Sequence, residues 1–213
     1  MDLFFDLDGP ILDVSEKYYR LYTDLLHEFG AAPLAKGEYW EAKRRRVPDA
    51  EILGRSGAGA YLEQFQSRRK ALIETSSYWS YDQVWPGMPA CLKRLALKHA
   101  LYLVTLRTHR APLMQELQHF GLESVFRLVL STPADNAASR ANVKAELVTS
   151  VLGKGPFSGW FIGDTETDIL AGQALRLNTL GVSFGIRSRE LLLAVKPDEI
   201  LDAPGALCRC FED

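Results

Sequence analysis

Hydrophobic residues fall into two textures along this chain, and the change comes near residue 85. An apolar opening at 2–6, with Leu3, Phe4 and Phe5 in succession, reads as a buried strand. After it, Tyr18, Leu21, Tyr22, Leu25, Leu26 and Phe29 recur at steps of three and four residues. That period predicts a helix from Ser15 to Phe29, with Ser15 as N-cap and Gly30 as the stop. Segments 36–46, 49–55 and 58–75 also read as helical, with Gly54, Gly57 and Gly59 dividing the stretch. No strand is expected in it before residue 81.

Beyond Trp85-Pro86-Gly87, short apolar runs alternate with helical stretches. Helix 88–98 precedes the run Leu101-Tyr102-Leu103-Val104, and helix 111–120 precedes Leu128-Val129-Leu130. Helix 142–152 leads to Trp160-Phe161-Ile162, and helix 166–176 to Thr179-Leu180-Gly181-Val182. A short strand near Glu199–Leu201 and a helix after Pro204 close the chain. Continuous apolar runs between helices predict a parallel sheet covered on both faces. The expected class is α/β: a Rossmann-like three-layer core from 1–13 and 82–213, with an all-helical domain at 14–81.

In such sheets, ligands sit beyond the carboxyl ends of the strands. Strand one ends at Asp6-Leu7-Asp8-Gly9. The run 101–104 ends at Thr105-Leu106-Arg107, and the run 160–162 at Gly163-Asp164, with Asp168 four residues on. Singly, each has an ordinary reading: Asp-Leu-Asp-Gly as a turn, a hydroxyl after a strand as commonplace, an Asp before a helix as an N-cap. Jointly, they put two carboxylates, a hydroxyl and two further carboxylates at equivalent ends of one sheet. Carboxylates breaking an apolar run are costly to bury unless a cation or hydrogen bonds compensate.

Composition narrows the class little further. The 213 residues are 47% hydrophobic and 24% charged, as in ordinary globular domains. A formal net charge of -2 gives no reason to expect nucleic acid or a membrane surface as partner. No run is long enough to span a bilayer and no N-terminal signal segment is visible. Cys91, Cys208 and Cys210 suggest no disulfide framework, so a cytoplasmic location is the default expectation, and Cys208-Arg209-Cys210 is too sparse for a metal site.

Phe5-Asp6-Leu7-Asp8-Gly9, Val104-Thr105 and Gly163-Asp164-Thr165-Glu166-Thr167-Asp168-Ile169-Leu170-Ala171-Gly172 together resemble the haloacid dehalogenase-like hydrolase superfamily, phosphatase branch. Trp85-Pro86-Gly87 is similar to the corresponding segment of phosphoglycolate-phosphatase-type members. The resemblance covers essentially the whole chain; its first and last motifs are specific, the middle one short. It implies Mg2+-dependent hydrolysis of a small phosphorylated metabolite, with 14–81 as a mobile cap over the active site.

By that resemblance Asp6 is the nucleophile, forming an aspartyl-phosphate, and Asp8 protonates the leaving alcohol and then deprotonates water. Residues two apart on a strand share a face, so both carboxylates can reach one pocket. Asp6, Asp164 and the Asp8 backbone carbonyl are the implied Mg2+ ligands, and their hard oxygens suit that cation. Asp168, one helical turn past Asp164, is a further ligand or a supporting carboxylate. Thr105 and the Leu106 N–H would bind a phosphate oxygen, and Arg107 adds a charge or faces solvent. The family also uses a cation, usually Lys; Lys144 is the candidate and Arg140 the rival, with Lys154 too close to the next strand. In the cap, Lys43-Arg44-Arg45-Arg46 beside Tyr39 and Trp40 could hold a second anionic group, with Arg45 the named candidate.

Pro10 stands where relatives usually carry Thr, and Pro lacks an N–H. Rival readings are a true haloacid dehalogenase, which needs neither Asp8 nor a metal, a phosphomutase, and a non-catalytic phosphometabolite-binding protein. Neither the metabolite nor the oligomeric state follows from the sequence.

Overall fold

A computed structural model describes residues 1–132 and 142–211. They form two compact units, one of 1–13 with 84–211 and one of Val14–Gln83. The first is built on six parallel strands: β1 (Asp2–Phe5) and, later in the chain, Ala100–Thr105, Leu128–Ser131, Gly159–Gly163, Asn178–Val182 and Glu199–Leu201. Two-residue strands β2 (Leu12–Asp13) and β3 (Gln83–Val84) flank the helical segment, so the five later strands are β4 to β8 in that order. The sheet order is β5-β4-β1-β6-β7-β8. The chain thus builds outward from β1 to β4 and β5, then returns to β1's other side for β6, β7 and β8. That reversal leaves a crevice at the carboxyl end of β1.

Alternation along the strands explains why the runs are apolar throughout. Phe4, Tyr102, Val104, Leu130 and Phe161 pack on one face. There they meet Ala145 and Val148 of a helix over Val143–Leu152, and Ala171 of a helix over Glu166–Ala174. Leu3, Phe5, Leu101, Leu103 and Ile162, at the intervening positions, are equally buried. A strand buried on both faces has no polar side to show.

The helical unit contains α1 (Ser15–Glu28), α2 (Lys36–Arg44), α3 (Asp49–Arg55), α4 (Leu62–Leu72) and α5 (Ser76–Trp79). Its core is aromatic: Tyr22 stacks on Tyr39 at 4.3 Å between centroids, and Phe65 meets Tyr22 edge-on. Gly30 ends α1 in a left-handed conformation, φ 70°, as its position suggests. Ser15 is not the cap. The helix starts directly off β2, so Val14 takes the cap position, without a side-chain cap hydrogen bond.

The other unit's helices are α6 (Met88–Ala96), α7 (Arg110–His119), α8 (Val143–Leu152), α9 (Glu166–Ala174) and α10 (Arg189–Ala194). α10 is absent from the sequence reading, being six residues long and too short for a period. The helix expected after Pro204 is two 3-10 turns, Pro204–Ala206 and Cys208–Phe211. The cysteine expectation is overturned: Cys91 of α6 and Cys208 form a disulfide across 117 residues of sequence. Only the tertiary fold brings them together, so spacing held no signal, and the ground for a cytoplasmic location goes with it. Among the described residues, no helix is long and apolar enough to cross a membrane.

Candidate active site

Asp6 follows β1 directly, and its backbone N–H donates to the Ile162 carbonyl at 2.9 Å. The sheet pattern therefore continues one residue past the strand, holding the carboxylate at the crevice. Asp6 Oδ1 accepts the Leu7 N–H at 2.8 Å and lies 2.8 Å from Lys144 Nζ. Lys144, near the start of α8, has a side chain only 2% exposed, and its ammonium also donates to Asp168 Oδ1 at 2.5 Å. This lysine joins the first motif to the last; its rival Arg140 lies outside the described residues.

Asp168 is placed by local chain logic. It is the third residue of α9, and its Oδ2 accepts from the Thr165 N–H at 2.9 Å and the Thr165 hydroxyl at 2.7 Å. Thr165 and Asp168 form a capping box. The Thr-x-x-Asp spacing at 165–168 is a helix-start signal visible in the sequence. One Asp168 oxygen thus faces Lys144 and the other Thr165.

Asp164 is fully buried at the end of β6. Its Oδ2 accepts the Ile186 N–H at 2.5 Å, while Oδ1 has no hydrogen-bond partner among the described residues. Two glycines make room for this carboxyl: a Cβ on Gly9 or on Gly185 would lie 2.1 or 2.2 Å from its atoms. Gly9 also has φ 105°, a conformation disfavoured for residues with a side chain. The Trp85 indole N–H fastens the same turn, donating to the Gly9 carbonyl at 2.7 Å. Pro10 costs the turn nothing, because its backbone bonds are donated by Gly9, Ile11 and Leu12.

Ligand oxygens of Asp6, Asp164 and Asp168 lie within 4.8 Å of one another. Three buried carboxylates against one lysine leave excess negative charge. Burial pushes the Asp6 carboxyl up to about 7; Lys144 opposes this, and Asp168 and Asp8 add to it. Burial, then Asp6 and Asp168, raise Asp164 well above the usual carboxylate range against the Ile186 N–H. Burial disfavours charge on Lys144, but Asp168 and Asp6 more than reverse that, so its pKa is raised. The orphaned Asp164 oxygen and the uncompensated charge fit a hard divalent cation bound through carboxylates.

Thr105 ends β4, buried, and its Oγ1 accepts the Arg107 N–H at 3.3 Å. The Leu106 side chain is partly exposed. Arg107 does not face solvent. Its guanidinium grips Asp8 with two bonds, Nε to Oδ2 at 3.0 Å and Nη2 to Oδ1 at 2.6 Å, and Nη1 donates to Glu116 at 2.8 Å. Glu116, on α7, had no sequence signal: it is a lone acid on a helix. Arg45 belongs to the helical unit, where its side chain is 70% exposed and 4.0 Å from Glu41.

Residues 3–182 match the haloacid dehalogenase-like hydrolase family. The chain belongs to that family. It is 24% identical over 206 residues to a phosphoglycolate phosphatase of Synechococcus elongatus, covering 96% of this chain and 94% of the relative. It is 32% identical over 206 residues to the pyrophosphatase PpaX of Bacillus pumilus, covering 93% and 90%. A haloacid dehalogenase-like hydrolase from Streptococcus pneumoniae superposes with a TM-score of 0.69 over 99% of this chain and 98% of its own, at 20% identity. This haloacid dehalogenase-like hydrolase thus carries three buried carboxylates together at the crevice its sheet order creates.

Proposed function

We propose that the protein hydrolyses a small phosphate monoester, with Mg2+, through an aspartyl-phosphate on Asp6. The observation that carries the reading is the carboxylate cluster around Lys144, with the Asp164 oxygen that no group among the described residues satisfies. Bound Mg2+, held by Asp6, Asp164 and the Asp8 carbonyl, would neutralise charge between nucleophile and phosphate and polarise the phosphoryl oxygens.

The chain's own residues account for the rest. Lys144 and the Leu7 N–H, both on Asp6 Oδ1, fix the carboxylate so that its other oxygen attacks phosphorus. As that bond forms, the bond to the leaving oxygen breaks, and the Asp8 carboxyl delivers a proton there. In the second half, Asp8 takes a proton from water while the water oxygen bonds to phosphorus and the Asp6–phosphorus bond breaks, releasing inorganic phosphate. The Thr105 hydroxyl and Leu106 N–H bind a phosphoryl oxygen. Asp168 holds Lys144 rather than the substrate. The helical unit Val14–Gln83 serves as the cap, and Arg45 with its basic neighbours contacts substrates bearing a second anionic group.

The test is turnover of p-nitrophenyl phosphate and a phosphate-ester panel that includes phosphoglycolate and pyrophosphate, the compounds named for the relatives. Activity that requires Mg2+, stops with EDTA and is lost in Asp6→Asn is expected. Turnover indifferent to EDTA, or an active Asp6→Asn enzyme, would refute the reading.

A further inference from the structure

We infer that Arg107 and Glu116 are positioning residues for the acid/base carboxylate: Arg107 fixes the Asp8 side chain and Glu116 fixes Arg107. The inference rests on the proposed role of Asp8 as proton carrier. It concerns a cation other than Lys144 and a carboxylate outside the metal-binding set.

Arg107 is two residues past β4 and Asp8 three past β1, on neighbouring parallel strands. The guanidinium plane presents Nε and Nη2 to the two Asp8 oxygens, the fork geometry that fixes a carboxylate in both position and rotation. A single ammonium can fix distance but not rotation. The remaining nitrogen, Nη1, is taken by Glu116. The Arg107 side chain is 5% exposed and that of Glu116 0%, so both are locked by packing as well as by charge. Arg107's own backbone N–H is tied to the Thr105 hydroxyl, which places the clamp and the phosphate-binding Thr105 on one rigid turn.

A buried ion triad is a poor device for stability, because apolar replacements often match or exceed it. Its value here is orientation. Attack by Asp6 needs Asp8 only where the leaving oxygen must receive a proton. A displaced Asp8 should therefore hurt esters of poor leaving groups and spare activated ones. A purely structural role for Arg107, or a role as phosphate ligand, would lower all substrates alike.

The experiment measures kcat/KM, which reports steps through transfer to Asp6, for a leaving-group series from 2,4-dinitrophenyl phosphate through phenyl to alkyl phosphates. Wild type is compared with Asp8→Asn, Arg107→Lys, Glu116→Gln and the double variant Arg107→Met/Glu116→Leu. The double variant removes the fully buried Glu116 together with its partner and leaves only the more exposed Asp8 carboxylate without Arg107, which guards against failure to fold. The Arg107 variants should lose about 100-fold on alkyl phosphates, within the range of general acid catalysis, and under about 3-fold on the dinitrophenyl ester. Glu116→Gln should show the same slope, weaker. Leaving-group dependence in Asp8→Asn but a uniform loss in both Arg107 variants would overturn the inference while leaving Asp8's role intact. A flat series in Asp8→Asn would overturn that role and the inference with it.

Discussion

Replacing Lys144 by Met should destabilise the metal-free α/β unit by an amount that depends on pH. Lys144 Nζ lies 2.8 Å from Asp6 and 2.5 Å from Asp168, all three buried. Removing one partner of a buried charge cluster leaves the others uncompensated, which costs about 3–5 kcal/mol. Asp6 titrates at about 7 in the fold against 3.8 for an ordinary Asp. The folded state therefore binds a proton more tightly than the unfolded state does. This contribution to stability is fully present below about pH 4, is lost as pH climbs from about 4 to about 7 and is flat above that, a span of about 4 kcal/mol by linkage. At pH 5 Asp6 is neutral in the wild type too, so Lys144 has one fewer anion to satisfy. The difference between wild type and Lys144→Met should be near its full size at pH 8 and clearly smaller at pH 5. Urea unfolding in EDTA, followed by Trp85 and Trp160 of the α/β unit in a background without Trp40 and Trp79, measures it. A difference below about 1 kcal/mol at pH 8, or one that is constant from pH 5 to 8, would refute the charge balance argued for this site.

Gly185→Ala should lower Mg2+ affinity at least about tenfold, because its Cβ would collide with the Asp164 carboxyl and break the Ile186 hydrogen bond, a bond worth about 1.5–3 kcal/mol; isothermal titration with Mg2+ reads it, and wild-type affinity would contradict the packing. Reducing Cys91–Cys208, or replacing both by Ser, should cost up to about 5 kcal/mol for so long a closed loop, read as a lower melting temperature with dithiothreitol; an unchanged melt would show that the crosslink adds no stability. Burial raises the Asp49 carboxyl, but Lys43 and Arg69 outweigh it and leave its pKa below the ordinary value. Its contribution to the helical unit should persist above pH 4 and fade as pH drops further, so Asp49→Asn should be destabilising at pH 7 and nearly neutral at pH 2–3 by circular dichroism; equal effects at both would exclude the pairing.

The legible parts of this protein were those whose cause is local. Apolar runs at 101–104, 128–130, 160–162 and 179–182 became β4 to β7 because a strand buried on both faces leaves no other pattern. Asp6, Asp8, Thr105, Asp164 and Asp168 could be found because sheet topology gathers strand ends, and a carboxylate just past an apolar run is conspicuous. What stayed hidden arises between segments. Glu116 matters only because α7 turns it toward Arg107, and Ile186 only because its N–H reaches Asp164. Cys91 and Cys208 meet across 117 residues. Lys144 is intermediate: the need for a cation comes from the family resemblance, and the rival Arg140 lies outside the described residues.

The site's two carboxylates at the end of β1 differ less in themselves than in the cations assigned to them. Asp6 is tied to Lys144, whose other bond goes to Asp168; Asp8 is tied to Arg107, whose other bond goes to Glu116. Each cluster is a cation between two acids, and the two lie side by side because the acids at their head are two residues apart. On the proposed mechanism, a point charge suits Asp6 as nucleophile, which must be neutralised yet keep one oxygen open to phosphorus. A planar fork suits Asp8 in its proposed role as proton carrier, whose oxygen must be aimed. Two chemically identical side chains can thus take opposite halves of one reaction. Exchanging the cations, with Arg at 144 and Lys at 107, should preserve total charge and still abolish turnover, which locates the specificity of each role in geometry rather than in charge.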